Sequence, residues 1–170
     1  MKTKDEIVRD WLPRYTGRRL DEFGQYILLV NFSNYVELFA ERFGVPVVGR
    51  DKPMLSATAE DITILSFGMG SAMAATTMDL LSATSPKAVL FLGKCGGLKK
   101  TKIGDFVLPI AAIRGEGTSN EYMPPEVPAL PSFRLQRALR DAVGEPDEED
   151  RRRLHVDADG ADPQEVLAHA

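Results

Sequence analysis

Lys94 lies within Gly93-Lys94-Cys95-Gly96-Gly97, directly after the apolar run Val89-Leu90-Phe91-Leu92. Apolar runs bounded by glycine read as buried strands. Glycines beyond such a strand let the backbone approach a ligand closely, with its amides pointing inward. An ammonium at that point would pair with a phosphate or a carboxylate. The plainer alternative is a surface lysine in a glycine turn. Upstream, Ile62-Thr63-Ile64-Leu65-Ser66-Phe67 breaks in the same way into Gly68-Met69-Gly70-Ser71. A helix starting there would present unpaired amides to an anion; equally, Ser71 would only cap a tight strand-to-helix turn. The spacing fits neither a Walker loop nor a dinucleotide fingerprint. A third candidate, Arg114-Gly-Glu-Gly-Thr-Ser-Asn-Glu-Tyr122, offers a guanidinium, two carboxylates and two aliphatic hydroxyls. Those groups suit a sugar phosphate, or else they form a solvated loop.

The remaining reactive side chains point elsewhere. Cys95 has no histidine or metal-ligand partner in the sequence and reads as a small buried packing residue. His155 and His169 both fall in a stretch poor in apolar residues. Metal-ligand spacing is absent, so neither metal nor cofactor is expected. Met69, Met73 and Met78 read as core.

These loops need strands and helices to hold them. Residues 4–12 form an expected amphipathic helix, with Ile7, Val8, Trp11 and Leu12 on one side and Pro13 ending it. Residues 26–31 read as a strand. Ser33 then caps a helix carrying Tyr35, Val36, Leu38, Phe39 and Phe43, closed by Gly44. Short strands are expected at 45–48 and 55–60, and a stronger one at 62–67. Helix 72–82 follows, capped by Ser71, then strand 88–92. Gly104-Asp105 is a turn before an expected strand at 106–113. The proline-rich loop 114–131 leads to Ser132 and a helix over 133–143. Strands alternating with helices indicate an α/β domain with a mostly parallel sheet. Two strand-to-glycine exits then suggest a pocket at the carboxyl ends of parallel strands.

Bulk properties narrow the classes. The chain has 170 residues, 44% of them hydrophobic, enough for one ordinary domain. A net charge of -4 argues against nucleic acid as the main partner. One cysteine, a charged amino terminus and no long apolar run point to a cytoplasmic protein without a membrane segment. From Gly144 onward the sequence is rich in Asp, Glu, Arg and Ala, with no aromatic residue after Phe133. Such a composition reads as disorder or a loose helix. The expected organisation is therefore an α/β domain over 1–143 and a divergent tail over 144–170.

Taken together, the motifs resemble the AMP nucleosidases, a branch of the nucleoside phosphorylase and nucleosidase superfamily. The matching segments are Trp11-Leu-Pro-Arg-Tyr-Thr-Gly17, Ile27-Leu-Leu-Val-Asn-Phe-Ser-Asn-Tyr35, Ser66-Phe-Gly-Met-Gly-Ser71, Leu90-Phe-Leu-Gly-Lys-Cys-Gly-Gly97 and the stretch from Gly104 to Ser119. The resemblance runs from the amino terminus to about Leu139. It implies a central twisted sheet flanked by helices, assembled into a homo-oligomer. It implies hydrolysis of the N-glycosidic bond of AMP to adenine and ribose 5-phosphate. The loops 31–35, 68–71 and 93–97 match superfamily loops around the phosphate and ribose, and Thr118 and Ser119 belong to a loop beside the sugar. The implied binding residues are Asn31, Gly68, Gly70, Ser71, Lys94, Gly96, Gly97, Arg114, Thr118 and Ser119.

Two departures matter. Phosphorylases of the superfamily carry arginines where Tyr35 and Phe91 stand here, while Lys94 replaces a small hydroxyl residue. Loss of two guanidinium groups weakens a site for free phosphate. Lys94 with Arg114 would instead hold a phosphate already joined to the substrate, favouring a nucleosidase over a nucleoside phosphorylase. The second departure is the superfamily's Met-Glu ribose clamp and acidic aspartate, for which no match is found. The expected chain is thus incomplete at its carboxyl end and poorly active by itself. Asp157, Asp159 and Asp162 are no substitute. A shifted reading frame would produce such an ending. A non-catalytic nucleotide-binding or subunit-interaction module is the alternative from another class. An incomplete sheet would also leave an apolar edge exposed.

Overall fold

A computed structural model describes residues 2–96 and 102–143. Gly97 and the whole of 144–170, including the expected tail, lie outside the described residues. Among the described residues the chain divides into two units, one of 2–94 with 114–127 and another of 95–113 with 128–143.

The first unit begins with α1 (Lys4–Thr16). Thr3 opens it with a capping box: its hydroxyl accepts from the Glu6 amide at 3.3 Å, and its own amide donates to Glu6 Oε2 at 2.7 Å. Pro13 does not end this helix but sits inside it. Its ring removes one backbone donor, yet the last turn persists because Leu12 and Thr16 are fully buried. Gly17 then stops the helix with a left-handed φ of +70°. Val8 and Leu12 face the core, whereas Ile7 and Trp11, expected on the same side, are largely exposed.

Among the described residues four strands form one sheet in the order β2-β3-β1-β4. They are β1 (Tyr26–Val30), β2 (Leu55–Ala59), β3 (Ile62–Ser66) and β4 (Ala88–Leu92). The central β1 pairs in parallel with β3 and β4, and β2 adds an antiparallel edge. The expected strand at 45–48 is reduced to one bridge, Val48 to Ser56.

Side-chain alternation along β1 builds two cores. Ile27 and Leu29 join Val8, Leu12, Met54, Leu65, Leu80 and Leu81 on one face. Val30 joins Val36, Ala40, Ala57 and Ile64 on the other, with Leu28 packed against them. Thus α1 and α3 (Ser71–Leu81) cover one face and α2 (Ser33–Phe43) covers the opposite one. Full burial of each large aliphatic side chain contributes about 1.5–3 kcal/mol. The chain leaves β1 for α2 and β3 for α3, toward opposite faces. Such a divergence between neighbouring parallel strands is the switch point outside whose carboxyl ends α/β sheets bind ligands. Both expected serine caps fall one residue late. Phe32 and Gly70 occupy the N-cap positions, and Ser33 and Ser71 are the first helical residues.

The second unit contains α4 (Phe133–Val143), as the sequence predicts. Ser132 stands at its start, with the Leu135 amide donating to its hydroxyl at 3.5 Å. The expected strand at 106–113 is not formed. Among the described residues only Ala112 of this run pairs, with Ala129, through two bonds of 2.9 and 3.0 Å. Pro109 removes a donor from the middle of that run, and no described strand lies beside it to supply partners. Ile103, Ile110, Ile113, Leu130 and Phe133 are all exposed. No helix among the described residues is long and apolar enough to cross a membrane.

Candidate functional site

The register of the parallel strands sets the site. Val30 pairs with both Ser66 and Leu92, so β1, β3 and β4 end level with one another. Their exits at Asn31, Phe67 and Gly93 therefore leave the sheet side by side. Asn31, after the central strand, links its neighbours. Its Nδ2 donates to the Gly68 carbonyl at 2.7 Å. A Cβ added to Gly93 would stand 3.4 Å from its Oδ1. The Phe67 amide also donates to the Val30 carbonyl at 3.1 Å, extending the ladder one step past β3.

Gly68 and Gly70 take φ values of +78° and +100°, and a Cβ on either would meet open space. Positive φ is what glycine supplies here; it turns the chain sharply from β3 into α3. Met69 between them is exposed rather than core, since the turn carries its side chain outward. Met78 is also exposed, and Met73 alone of the three packs against the core. The first amides of α3 have no partners within the helix and carry the positive end of its dipole.

Ser71 does not cap α3. Its hydroxyl instead lies 2.9 Å from that of Thr118. Thr118 opens a short 3-10 turn (Thr118–Glu121) behind Gly117, whose φ is +90°. Glu116 accepts from the Ser119 amide at 3.2 Å and from the Ser119 hydroxyl. That hydroxyl is the main reason the Glu116 carboxyl sits below its usual range, with the Ser119 amide, the Ser71 hydroxyl and the Thr118 amide assisting. Ser71, Thr118, Ser119 and Glu116 thus form one polar cluster at the start of α3. Sequence reasoning named the three hydroxyl residues but gave no separate role to Glu116. Its signal was the spacing Glu116-Gly-Thr-Ser119, which lets a carboxylate fold back on amides three residues ahead.

Arg114 fastens its own loop. Its Nη2 donates to Asn120 Oδ1 at 3.0 Å and to the Met123 and Pro124 carbonyls at 2.7 and 2.9 Å. Its Nε is buried and meets no acceptor among the described residues. A second tie reaches α3, where Tyr122 donates to Asp79 Oδ2 at 3.0 Å while Lys4 holds Oδ1 at 2.7 Å. The Lys4 hydrogen bond is the largest influence keeping the Asp79 carboxyl below its ordinary range; Tyr122 adds to it and burial opposes it. A depressed pKa makes this tie complete above the ordinary aspartate range and lost as pH falls through the lower, folded value. The loop should therefore stay fastened through mild acid. Asp79→Asn is expected to release it at neutral pH, raising trypsin cleavage after Arg114 several-fold. Equal cleavage of variant and wild type would show that the tie does not restrain the loop.

Lys94 extends past the end of β4 with its ammonium 5.4 Å from the centre of the Phe32 ring and 5.5 Å from that of Tyr35. It has no ion-pair partner among the described residues. Phe91, next to last in β4, tilts against Phe67 with ring centres 5.8 Å apart. Of the other sequence-predicted positions, Gly96 belongs to the second unit and has open space where a Cβ would point. Gly97 lies outside the described residues. Cys95, expected as buried packing, is exposed, because the chain has already left the sheet. Among the described residues no three His, Cys, Asp or Glu side chains gather as metal ligands would. The arrangement offers the Lys94 ammonium, a helix amino terminus and a row of hydroxyls. It suits an anion joined to a hydroxyl-bearing group.

Comparison with known proteins gives the same architecture. The crystal structure of an AMP nucleosidase from Bacteroides thetaiotaomicron superimposes with a TM-score of 0.80 and 63% identity, over 83% of this chain and 59% of that one. An AMP nucleosidase of Escherichia coli K12 is 27% identical over 85% of this chain and 39% of its own length. A uridine phosphorylase of Treponema pallidum is 29% identical over 76% of this chain and 52% of its own length. The chain thus spans between about two fifths and three fifths of these relatives. The central sheet flanked by helices is a nucleoside phosphorylase-like fold. The family model begins at residue 25, just before β1, and runs to residue 158, past the end at about Leu139 expected for the resemblance from the sequence. Matched over residues 25–158, the chain belongs to the phosphorylase superfamily.

Proposed function

We propose that the chain is the nucleotide-holding part of an AMP nucleosidase, which cleaves the N-glycosidic bond of AMP with water to give adenine and ribose 5-phosphate. The observation that carries this reading is Lys94, a cation without a carboxylate partner among the described residues, standing where parallel strands end. The 63% identity to the Bacteroides AMP nucleosidase supports it. In this reading Lys94 and the first amides of α3 take the 5′-phosphate. Ser71, Thr118 and Ser119 meet the ribose, and Gly68 and Gly70 let the backbone come close. Asn31 keeps the first two loops at a fixed separation. Arg114 acts mainly by shaping the loop that bears Thr118 and Ser119.

Cleavage would pass through an oxocarbenium-like ribose, so the site works by positioning and by electrostatics. A bound phosphate anchors one end of the sugar while the glycosidic bond lengthens. Rings at Tyr35 and Phe91, in place of guanidinium groups, favour water over free phosphate as the attacking group. The test is product analysis of AMP incubated in phosphate-free buffer. Adenine with ribose 5-phosphate supports the nucleosidase. Product formed only when phosphate is added supports a nucleoside phosphorylase, the reading favoured by the likeness to uridine phosphorylase.

We further propose that this polypeptide alone, lacking the Met-Glu and aspartate motifs the resemblance calls for, binds AMP with slow turnover at most. Adenine release matching that of a full-length relative would refute this. AMP uptake with no turnover under any condition would support the binding-module alternative. Assembly as a homo-oligomer in the cytoplasm belongs to the same proposal. The exposed Ile103, Ile110 and Ile113 of the second unit support the assembly part of it.

A further inference from the structure

Phe32 occupies the N-cap position of α2, where its side chain makes no capping hydrogen bond. That position normally favours Ser, Thr, Asp or Asn. Its ring is 40% exposed, so core packing does not explain the choice either. Three residues on, Tyr35 sets its ring edge-on to that of Phe32, with centres 6.3 Å apart and planes at 67°. The two faces make an angled seat, and the Lys94 ammonium rests above both, at 5.4 and 5.5 Å. Each distance is within cation–π range.

We propose that Phe32 and Tyr35 are positioning residues that seat Lys94 without neutralising it, and thereby set the preference for a nucleoside monophosphate over a nucleoside. The inference rests on the reading that Lys94 meets the phosphate. A free lysine side chain samples many rotamers and must lose that freedom when it binds. A carboxylate would hold it too, but would cancel its charge and repel an incoming phosphate. Aromatic faces attract the ammonium through their quadrupole and leave its full charge available. That attraction is modest, so the ammonium can lean away from the rings toward a stronger anionic partner. An arrangement of this kind raises affinity for the phosphate end of a ligand and does nothing for its base.

The test is calorimetric titration of the whole chain with AMP, ribose 5-phosphate and adenosine. The proteins compared are wild type, Lys94→Ala, the double variant Phe32→Leu/Tyr35→Leu, and Tyr35→Phe. The leucine pair is expected to lose about fivefold in affinity for AMP and for ribose 5-phosphate, with adenosine unchanged and Tyr35→Phe like wild type. Should the leucine pair bind AMP as wild type does while Lys94→Ala does not, the seat is overturned and the phosphate reading stands. Should Lys94→Ala also bind AMP normally, both fall. A readout independent of any ligand is the NMR spectrum of lysine labelled at Cε. Apart from Lys87, whose ammonium lies 5.9 Å from the centre of the Tyr26 ring, one lysine methylene should show an upfield ring-current shift that disappears in Lys94→Ala and in the leucine pair. A wild-type spectrum with no such resonance refutes the proposal.

Discussion

Lys94→Ala is expected to weaken AMP binding about 10- to 100-fold, the loss associated with one charge-assisted hydrogen bond to a phosphate. Adenosine binding should change little, because the lost group meets only the phosphate end. The effect is large because Lys94 has no carboxylate partner among the described residues to share or replace its charge. Arg114, the other cation proposed for the phosphate from the sequence, is poorly placed to compensate. Its Nη2 already serves three oxygens of its own loop. Lys94→Arg should recover part of the affinity, since a guanidinium keeps the charge and also stacks on aromatic rings. Raising salt should weaken wild-type binding and affect the alanine variant less, as an exposed charge pair is screened. Titrations of AMP and adenosine at two ionic strengths check all of this. Equal losses for the two ligands would mean that Lys94 supports the fold rather than the phosphate.

Gly24→Ala is expected to be the more damaging change to stability, about 3 kcal/mol, the upper end of what overpacking costs. A Cβ there would lie 2.2 Å from the Asp61 carbonyl oxygen, 2.3 Å from its carbon and 2.8 Å from the Ile62 nitrogen. All three are backbone atoms, so no side chain can turn away. The turn they belong to is already tight, with Glu60 and Asp61 at φ values of +48° and +65°. It is also tied to the start of β1: the Gly24 amide donates to the Thr63 hydroxyl at 2.9 Å and the Tyr26 amide to the Asp61 carbonyl at 3.1 Å. Making room must therefore shift β1 against β3. For a chain of this size the expected fall in melting temperature is roughly 10 °C. Gly44→Ala is the control. It has a positive φ of +63° but nothing within 4 Å of the added carbon, so it should lose only about 1–2 kcal/mol. Thermal melts of the two variants decide; a Gly24→Ala protein as stable as wild type would contradict the packing described.

What the sequence revealed of the site follows from which signals are local. Ile27-Leu-Leu-Val30, Ile62-Thr-Ile-Leu65 and Ala88-Val-Leu-Phe-Leu92 are short apolar runs with turn residues beyond them, and each is a strand. The glycine exits at Gly68 and Gly93 were readable for the same reason. Whether 106–113 extends is a different question, since a strand needs a neighbour to bond to; among the described residues only Ala112 finds one. The serine caps were misplaced because Phe32 and Gly70 take the cap geometry, a choice that suits the loops more than the helices. Asn31 reaching Gly68, and Lys94 resting on Phe32 and Tyr35, join residues far apart in sequence. No pattern along the chain encodes such meetings. Buried packing for Met69 and Cys95 failed because apolar character alone does not say which way a turn throws a side chain.

The three parallel strands are each five residues long and start level, Tyr26 opposite both Ile62 and Ala88. Inserting or deleting one residue in any of them would swap its inward and outward side chains and move its outlet by about 3.3 Å relative to the other two. Evolutionary change in ligand choice is thereby steered away from the scaffold and into the segments between Asn31 and Tyr35, Gly68 and Ser71, and from Gly93 onward. There, substitutions alter what is recognised without putting the three outlets out of step.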